Sequence, residues 1–225
     1  MALKAVLFDF NGVLVDDEPL HWRMYNVALR PHNIHVSKAD YYEKYLGFDD
    51  RDAFRAILKD QRRKPAPGLI ERLVATKAAA YARKMPNVPF FHGAARLVRQ
   101  AARRYPLGVV TGAIRAEAEG LLTREGLRSC FKAVVAAEDV KRGKPDPEGY
   151  RKGLHALRAA SRRPLKPSEV LVIEDGPAGI EAAKRAGMGV LAVAHTYPPR
   201  ELRAADALSA SIRNLRVEEM EALFR

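Results

Sequence analysis

The sequence predicts an α/β fold, and three observations carry that prediction. Strands alternate with helices from Phe91 to Ala194, residues 17–86 read as helices with no strand between them, and a short apolar run near the start ends abruptly on Asp9. Together they describe a parallel sheet flanked by helices, with a helical insert after its first strand. The chain has 225 residues and is 48% hydrophobic, enough for one full core and a smaller appended domain. The expected layout is a discontinuous α/β core, residues 1–16 and 87–225, carrying a helical-bundle cap over residues 17–86. Val15 to Glu18 and Pro86 to Pro89 are the expected hinges.

The first strand is Ala5-Val6-Leu7-Phe8, closed by Asp9 and the turn signal Asn11-Gly12. A buried strand that delivers a carboxylate into a loop puts it at the carboxyl end of the sheet, where open α/β sheets bind ligands. Pro19 suits the first turn of a helix from Leu20 to Arg30, which Pro31 stops. Ser37 is the expected N-cap of a helix through Tyr41 and Tyr45. Gly47-Phe48-Asp49-Asp50 reads as a loop whose acids cap a helix from Arg51 to Lys59. Pro65 to Gly68 break the chain before a long helix with Leu69, Ile70, Leu73, Val74, Ala78 and Tyr81 on its apolar face, ending at Pro86.

Beyond Phe91 the expected order is helix Gly93 to Arg104, strand Leu107 to Val110, helix Arg115 to Glu125 and strand Ala133 to Ala136. Helix Glu148 to Ala160, strand Val170 to Ile173, helix Ala178 to Ala186 and strand Gly189 to Ala194 follow. Helices joining consecutive strands imply parallel pairing.

Composition narrows the function classes. Cys130 is the lone cysteine and cannot form an internal disulfide, which points to a reducing cytoplasmic setting and a small core residue beside Phe131. No apolar run reaches a membrane span, and no charged leader precedes an apolar segment, so neither a membrane anchor nor a signal peptide is expected. The net charge is +12, but the basic residues are spread along helices. The small clusters Gln61-Arg62-Arg63-Lys64 and Arg162-Arg163 carry no interleaved aromatics, so no nucleic-acid partner is expected.

The strand ends then form a pattern. Asp9 closes the first strand, Thr111-Gly112 the second, Gly143-Lys144-Pro145-Asp146-Pro147 follow the third, and Glu174-Asp175-Gly176 close the fourth. Each has an ordinary reading alone: a turn former, a helix cap, an exposed loop lysine, an N-cap. All sit at strand carboxyl ends in one order, and their types suit phosphoryl transfer, which is mostly positioning and charge neutralisation. Asp9 is a candidate nucleophile. Asp9 and Asp175, with the backbone carbonyl of Asn11, suit Mg²⁺. Lys144 offsets the remaining charge. Thr111, with N–H groups at the start of the following helix, can hold phosphate oxygens.

The four motifs Asp9-x-Asn11-Gly12, Thr111-Gly112, Lys144-Pro145 and Glu174-Asp175 resemble those of the haloacid dehalogenase-like hydrolases. The resemblance implies a Rossmann-like core, an aspartyl-phosphate on Asp9, a phosphate-binding Thr111 and Gly112, a charge-balancing Lys144, and Mg²⁺ held by Asp9, Asp175 and the Asn11 carbonyl. Glu174 would help as a ligand or behind the ligands. The insert resembles the cap of the subgroup containing phosphoglycolate phosphatase and β-phosphoglucomutase. Asp17-Glu18-Pro19-Leu20-His21 match its hinge and Gly47-Phe48-Asp49-Asp50-Arg51 its specificity loop. Closure of such a cap would expel water, with Glu18, His21 and Arg51 as candidate substrate contacts; a first-turn acid, a packed helix residue and a surface arginine are their plainer readings. The implied activity is hydrolysis of a small phosphorylated metabolite by a monomer or dimer.

One position departs from the pattern Asp-x-Asp-Gly: Asn11 stands at the second acid. An amide neither protonates a leaving oxygen nor activates water, and general acid–base catalysis is worth about 10²–10⁴-fold. Three readings follow: a phosphatase with another acid, His21 or Glu18 being nearest by hinge position; a weak or inactive phospholigand-binding protein; or a substitution introduced to trap an intermediate. The metal site disfavours dehalogenation. The absence of a lysine before Gly47, where Leu46 stands, disfavours phosphonate cleavage, and with the missing acid it leaves phosphomutase activity as an alternative only.

Overall fold

The computed structural model describes residues 2–46, 48, 50–161 and 164–224. Its sheet has six parallel strands in the order β3-β2-β1-β4-β5-β6. These are β1 (Ala5–Phe8), β2 (Leu107–Val110), β3 (Phe131–Val135), β4 (Val170–Glu174), β5 (Gly189–Val193) and β6 (Ala207–Ser209). The chain builds outward from β1 on one side through β2 and β3, then crosses back to place β4 on β1's other side. The order therefore reverses between β1 and β4, whose register pairs Phe8 with Ile173. A crevice at such a reversal is where open α/β sheets take their ligands.

Both faces of the central strands are buried, as parallel sheets require. Leu7, Val110, Val135, Val172 and Val190 point to one face, where they meet α7 (Glu148–Ser161) and α8 (Pro177–Arg185) through Tyr150, Leu154, Leu157 and Ile180. The alternate residues Val6, Phe8, Leu171 and Ile173 are equally buried. The remaining core helices are α5 (Ala94–Ala102), α6 (Arg115–Arg124) and α9 (Val217–Ala222).

The chain divides into two compact units, Met1–Asp16 with Pro89–Arg225, and Asp17–Val88. The second unit contains α1 (Glu18–Leu29), α2 (Lys38–Asp40) continuing as a π-helical turn Tyr41–Tyr45, α3 (Asp50–Asp60) and α4 (Leu69–Lys84). Tyr25, Leu29, Phe54, Ile57, Ile70 and Leu73 form its core. Ser37 caps α2 as expected, its hydroxyl accepting from Asp40 N at 3.0 Å.

Several elements differ from the sequence reading. β3 starts at Phe131 rather than Ala133, because Phe131 is buried edge-on against Phe8 at 6.0 Å. Strand β6 and helix α9 were not expected: β6 is three residues long, with Leu208 47% exposed, and shows no alternation to read. Asp50 is the first residue of α3, and its carboxylate accepts from the Tyr25 hydroxyl at 2.7 Å and from Lys77. Asp49 and Gly47 lie outside the described residues. In α4 the buried face runs Ile70, Leu73, Lys77, Ala80 and Tyr81, so Lys77 takes the place expected of Ala78.

Candidate active site

The ends of β1, β2 and β4 bring the predicted core residues together. Asp9, Thr111, Glu174 and Asp175 are all buried, each at or just beyond a strand's carboxyl end. Asp9, Glu174 and Asp175 each offer a carboxylate oxygen, and these oxygens lie within 4.8 Å of one another. Lys144 reaches into the group from the loop before α7. Its ammonium is 2.6 Å from Asp9 Oδ1 and 2.5 Å from Glu174 Oε1. The Lys144–Pro145 peptide is cis.

Glu174 is fully engaged. Oε1 accepts from Lys144 and from the Tyr150 hydroxyl at 2.8 Å. Oε2 accepts from the N–H groups of Asp175 at 2.8 Å and Gly176 at 3.1 Å. A carboxylate has about four lone-pair sites, so these donors occupy all of them. Gly179 makes room: a Cβ there would stand 1.7 Å from Glu174 Oε1.

Charge and burial work against each other here. Burial pushes Asp9 up to about 7; Lys144 opposes the rise and Glu174 adds to it. Burial raises Asp175 well above the carboxylate range, reinforced by Glu174 and Asp9. Burial pulls Lys144 down, but Asp9 and Glu174 outweigh it and hold the amine charged. Three acids beside one ammonium leave an excess of negative charge that a bound divalent cation would neutralise. Asp9 and Asp175 still offer carboxylate oxygens, the chemistry hard cations prefer, so the residues fit Mg²⁺.

The Thr111 hydroxyl donates to Asn11 Oδ1 at 3.1 Å and accepts from Ala113 N at 3.0 Å. This ties the second strand end to the first loop. The N–H of Arg115, at the start of α6, is taken by the Glu138 carboxylate at 3.1 Å. The space over exposed Gly112, in the Thr111-Gly112 turn, is open. A cavity of about 320 Å³ beside Thr111 and Lys144 is lined by Val110, Val140, Gly143 and Tyr150 among others.

In the helical unit, Glu18 and His21 enter a polar network. His21 Nε2 lies 3.1 Å from Asp17 Oδ2 and Nδ1 lies 2.9 Å from the Lys77 ammonium. An ammonium only donates, so Nδ1 accepts and Nε2–H donates to Asp17. The ring stacks on Tyr81 at 4.5 Å, and the Tyr81 hydroxyl donates to Asp17 at 2.8 Å. Both nitrogens of His21 are thus engaged within its own unit. Glu18 accepts from the Tyr41 hydroxyl at 2.8 Å, and burial raises its pKa, with His21 the strongest opposing influence. Arg51 is exposed on the first turn of α3.

Sequence reasoning missed Tyr150, Lys77, His195 and Thr196. Tyr150 sits on an apolar helix face, where nothing in the pattern says that its hydroxyl reaches Glu174. Lys77 carries the wrong polarity for its position.

A sheet that gathers three carboxylates, a lysine and a threonine at its reversal point defines a class: α/β enzymes that work at the carboxyl edge of a parallel sheet. Residues 6–193 match the family model for haloacid dehalogenase-like hydrolases. The chain belongs to this family, and by homology it is a phosphatase, a phosphoric monoester hydrolase. It is 36% identical to validoxylamine A 7'-phosphate phosphatase of Streptomyces hygroscopicus subsp. limoneus, over 95% of this chain and 96% of that one. It is 29% identical to a phosphorylated carbohydrates phosphatase of Thermotoga maritima, over 83% and 82%. The fold, six parallel strands with a helical cap segment from α1 to α4, is that of β-phosphoglucomutase from Clostridium difficile. The TM-score is 0.79 at 20% identity, with 99% and 97% of the two chains covered. No helix among the described residues is long and apolar enough to cross a membrane.

Proposed function

We propose that the chain hydrolyses the phosphoric monoester of a small carbohydrate-like metabolite with Mg²⁺, through an aspartyl-phosphate on Asp9. The observation that carries this is the Lys144 ammonium held between Asp9 and Glu174, with Asp175 alongside. The two phosphatase relatives, one named for phosphorylated carbohydrates, support the substrate class.

An Asp9 carboxylate oxygen attacks phosphorus and the ester P–O bond breaks, the alcohol's oxygen taking a proton from solvent water. Water then attacks the same phosphorus and gives a proton back to solvent as the Asp9 O–P bond breaks, releasing inorganic phosphate and the Asp9 carboxylate. Lys144 opposes the rise that burial imposes on Asp9, favouring its ionised form, and faces the charge of the transferring group. Thr111 and Gly112 receive the phosphate oxygens. Asp9, Asp175 and the Asn11 backbone carbonyl would hold Mg²⁺, while Glu174, its lone pairs taken, orients Lys144 and the Asp175 backbone. Bound there, Mg²⁺ would neutralise charge between carboxylate and phosphate. Asn11 supplies no proton, so alkyl leaving groups depart slowly and aryl or acyl ones are less affected.

The test is phosphate release from an aryl phosphate, with and without Mg²⁺, by the wild type and Asp9→Ala. Equal, metal-independent activity in both proteins would sink the reading. Asn11 favours a second reading, a phospholigand-binding protein with negligible turnover. It would show a ligand-dependent thermal shift yet no phosphate release. Cys130 is half-buried rather than the core residue expected, because it ends the 3-10 turn before β3, and its being the lone cysteine is what favours a cytoplasmic setting. A monomer or dimer without nucleic-acid partners completes the proposal.

A further inference from the structure

The residues that follow β5 touch the site from a side no motif marks. His195 Nδ1 lies 2.9 Å from the carbonyl oxygen of Gly12, in the loop that carries Asp9 and Asn11. Its Nε2 lies 3.1 Å from the backbone N of Ile212 and 3.2 Å from Ser211 Oγ. A backbone N–H only donates and a carbonyl only accepts. Nε2 is therefore the acceptor and Nδ1 carries the hydrogen, which fixes one neutral tautomer. The ring also stacks on Phe91 at 4.0 Å and 26°, and Asp16 is the charged group that faces it.

The neighbouring residue acts on the opposite side of the same loop. The Thr196 hydroxyl lies beside the Asp175 carboxylate against Gly12 and opposes the rise that burial imposes on that acid. Gly12 has a φ of +73°, and a Cβ there would stand 1.9 Å from Asp175 Oδ2 and 2.7 Å from Thr196 Oγ1. The loop's turn is thus pressed onto Asp175 and Thr196, while its carbonyl is held by His195.

We propose that His195 and Thr196 form a positioning pair that fixes the Asp9 loop against Asp175, and so sets the spacing of the oxygens that receive the cation. The inference rests on the phosphatase reading only for its kinetic consequence; the cation geometry is measurable without substrate. Neither residue touches the reacting atoms. Thr196 faces the ligand Asp175 and His195 holds the loop that carries Asp9 and Asn11, as partners behind metal ligands do, whose loss costs roughly 10–100-fold in metal affinity or activity.

The experiment pairs variants that keep or remove one bond each. His195→Asn places an amide N–H near Nδ1 and keeps the bond to Gly12; His195→Gln places its oxygen near Nε2 and keeps only the bond to Ile212. Thr196→Ser keeps the hydroxyl and Thr196→Val removes it. Mg²⁺ affinity is measured by calorimetry on the full chain without substrate, beside kcat, KM and Tm. We expect Gln and Val to weaken Mg²⁺ binding roughly 10–100-fold, with kcat falling in step and KM within about threefold, and Asn and Ser to stay within about threefold of wild type. Imidazole ¹⁵N NMR of the wild type should show His195 neutral with its hydrogen on Nδ1. An Nε2–H tautomer, or Asn and Gln equally weakened in proportion to Tm, or no change in Mg²⁺ affinity in any variant, would overturn the proposal. A wild type that binds Mg²⁺ but releases no phosphate would refute the phosphatase reading and leave the affinity comparison intact.

Discussion

Asn11→Asp restores the carboxylate that the family pattern places two residues after the nucleophile. The site is prepared to accept it. Asn11 Oδ1 already receives the Thr111 hydroxyl at 3.1 Å, and a carboxylate of the same shape keeps that bond. Its second oxygen replaces the amide nitrogen and can carry a proton to a leaving oxygen. General acid–base help of about 10²–10⁴-fold corresponds to about 3–5 kcal/mol of barrier, at 1.36 kcal/mol per factor of ten. The added negative charge joins Asp9, Glu174 and Asp175, so the variant should need Mg²⁺ more than the wild type does. The assay is kcat at saturating Mg²⁺ on two substrates, glycerol 3-phosphate and p-nitrophenyl phosphate. We expect a gain of about 10²–10⁴-fold on the alkyl ester and less than about tenfold on the aryl ester, whose leaving group needs little protonation. Flat kinetics on the alkyl ester would show that another group already supplies the proton. An equal gain on both substrates would show that Asn11 affects something other than leaving-group protonation.

Three further outcomes test separate parts of the molecule. Gly179→Ala drives a methyl into Glu174 Oε1, whose carboxylate is pinned by four donors and cannot move aside. Denaturant unfolding should show a loss of about 1–3 kcal/mol, with activity reduced as Lys144 loses its anchor. Lys77→Met removes a cation only 4% exposed and leaves Asp50 and His21 without it. Breaking such a pair costs about 3–5 kcal/mol when buried, and Asp50, 31% exposed, places the loss near the lower figure; unchanged unfolding would refute it. Glu148 accepts from Lys152 and from the N–H groups of Lys141 and Arg142, which lower its pKa to about 2 from 4.5. A folded-state value below the unfolded one contributes stability that is complete above pH 4.5 and lost as pH falls toward 2. Glu148→Gln should flatten the stability–pH curve within that window, and a curve identical to wild type would count against the assignment.

Which parts of this were legible in sequence follows from the range over which each signal acts. β2 and β5 begin where the apolar runs begin, because a strand buried on both faces shows an uninterrupted run between turn residues. Asp9, Thr111, Lys144, Glu174 and Asp175 were readable because each closes or follows such a run. The parallel order of the sheet then brings residues more than a hundred positions apart to one edge. β6 and α9 were not readable: a three-residue edge strand with an exposed Leu208 is stabilised by its neighbour β5, not by its own pattern. Lys77 breaks the apolar periodicity of α4, and Asp50, His21 and the Tyr25 ring beneath its ammonium, 4.4 Å away, account for it. Such a residue reads as solvent-facing until its partners are known.

His195 and Thr196 show the same limit at the site itself. Motifs record the side chains that meet substrate, because their chemistry restricts residue type. The groups that aim those side chains need only one donor or acceptor in the right place, and many residue types provide that. A histidine after an apolar strand therefore carries no signal of its own. It acquires one only when the Gly12 carbonyl, 183 residues earlier, and the Ile212 N–H are seen to address its two nitrogens separately. The same reasoning bears on Asn11. Sequence registers it as a missing acid, whereas the structure gives its amide a defined hydrogen bond with Thr111. The position is therefore occupied by a group that braces the Thr111-Gly112 turn, and the Asn11→Asp comparison tests whether the missing carboxylate also costs proton transfer.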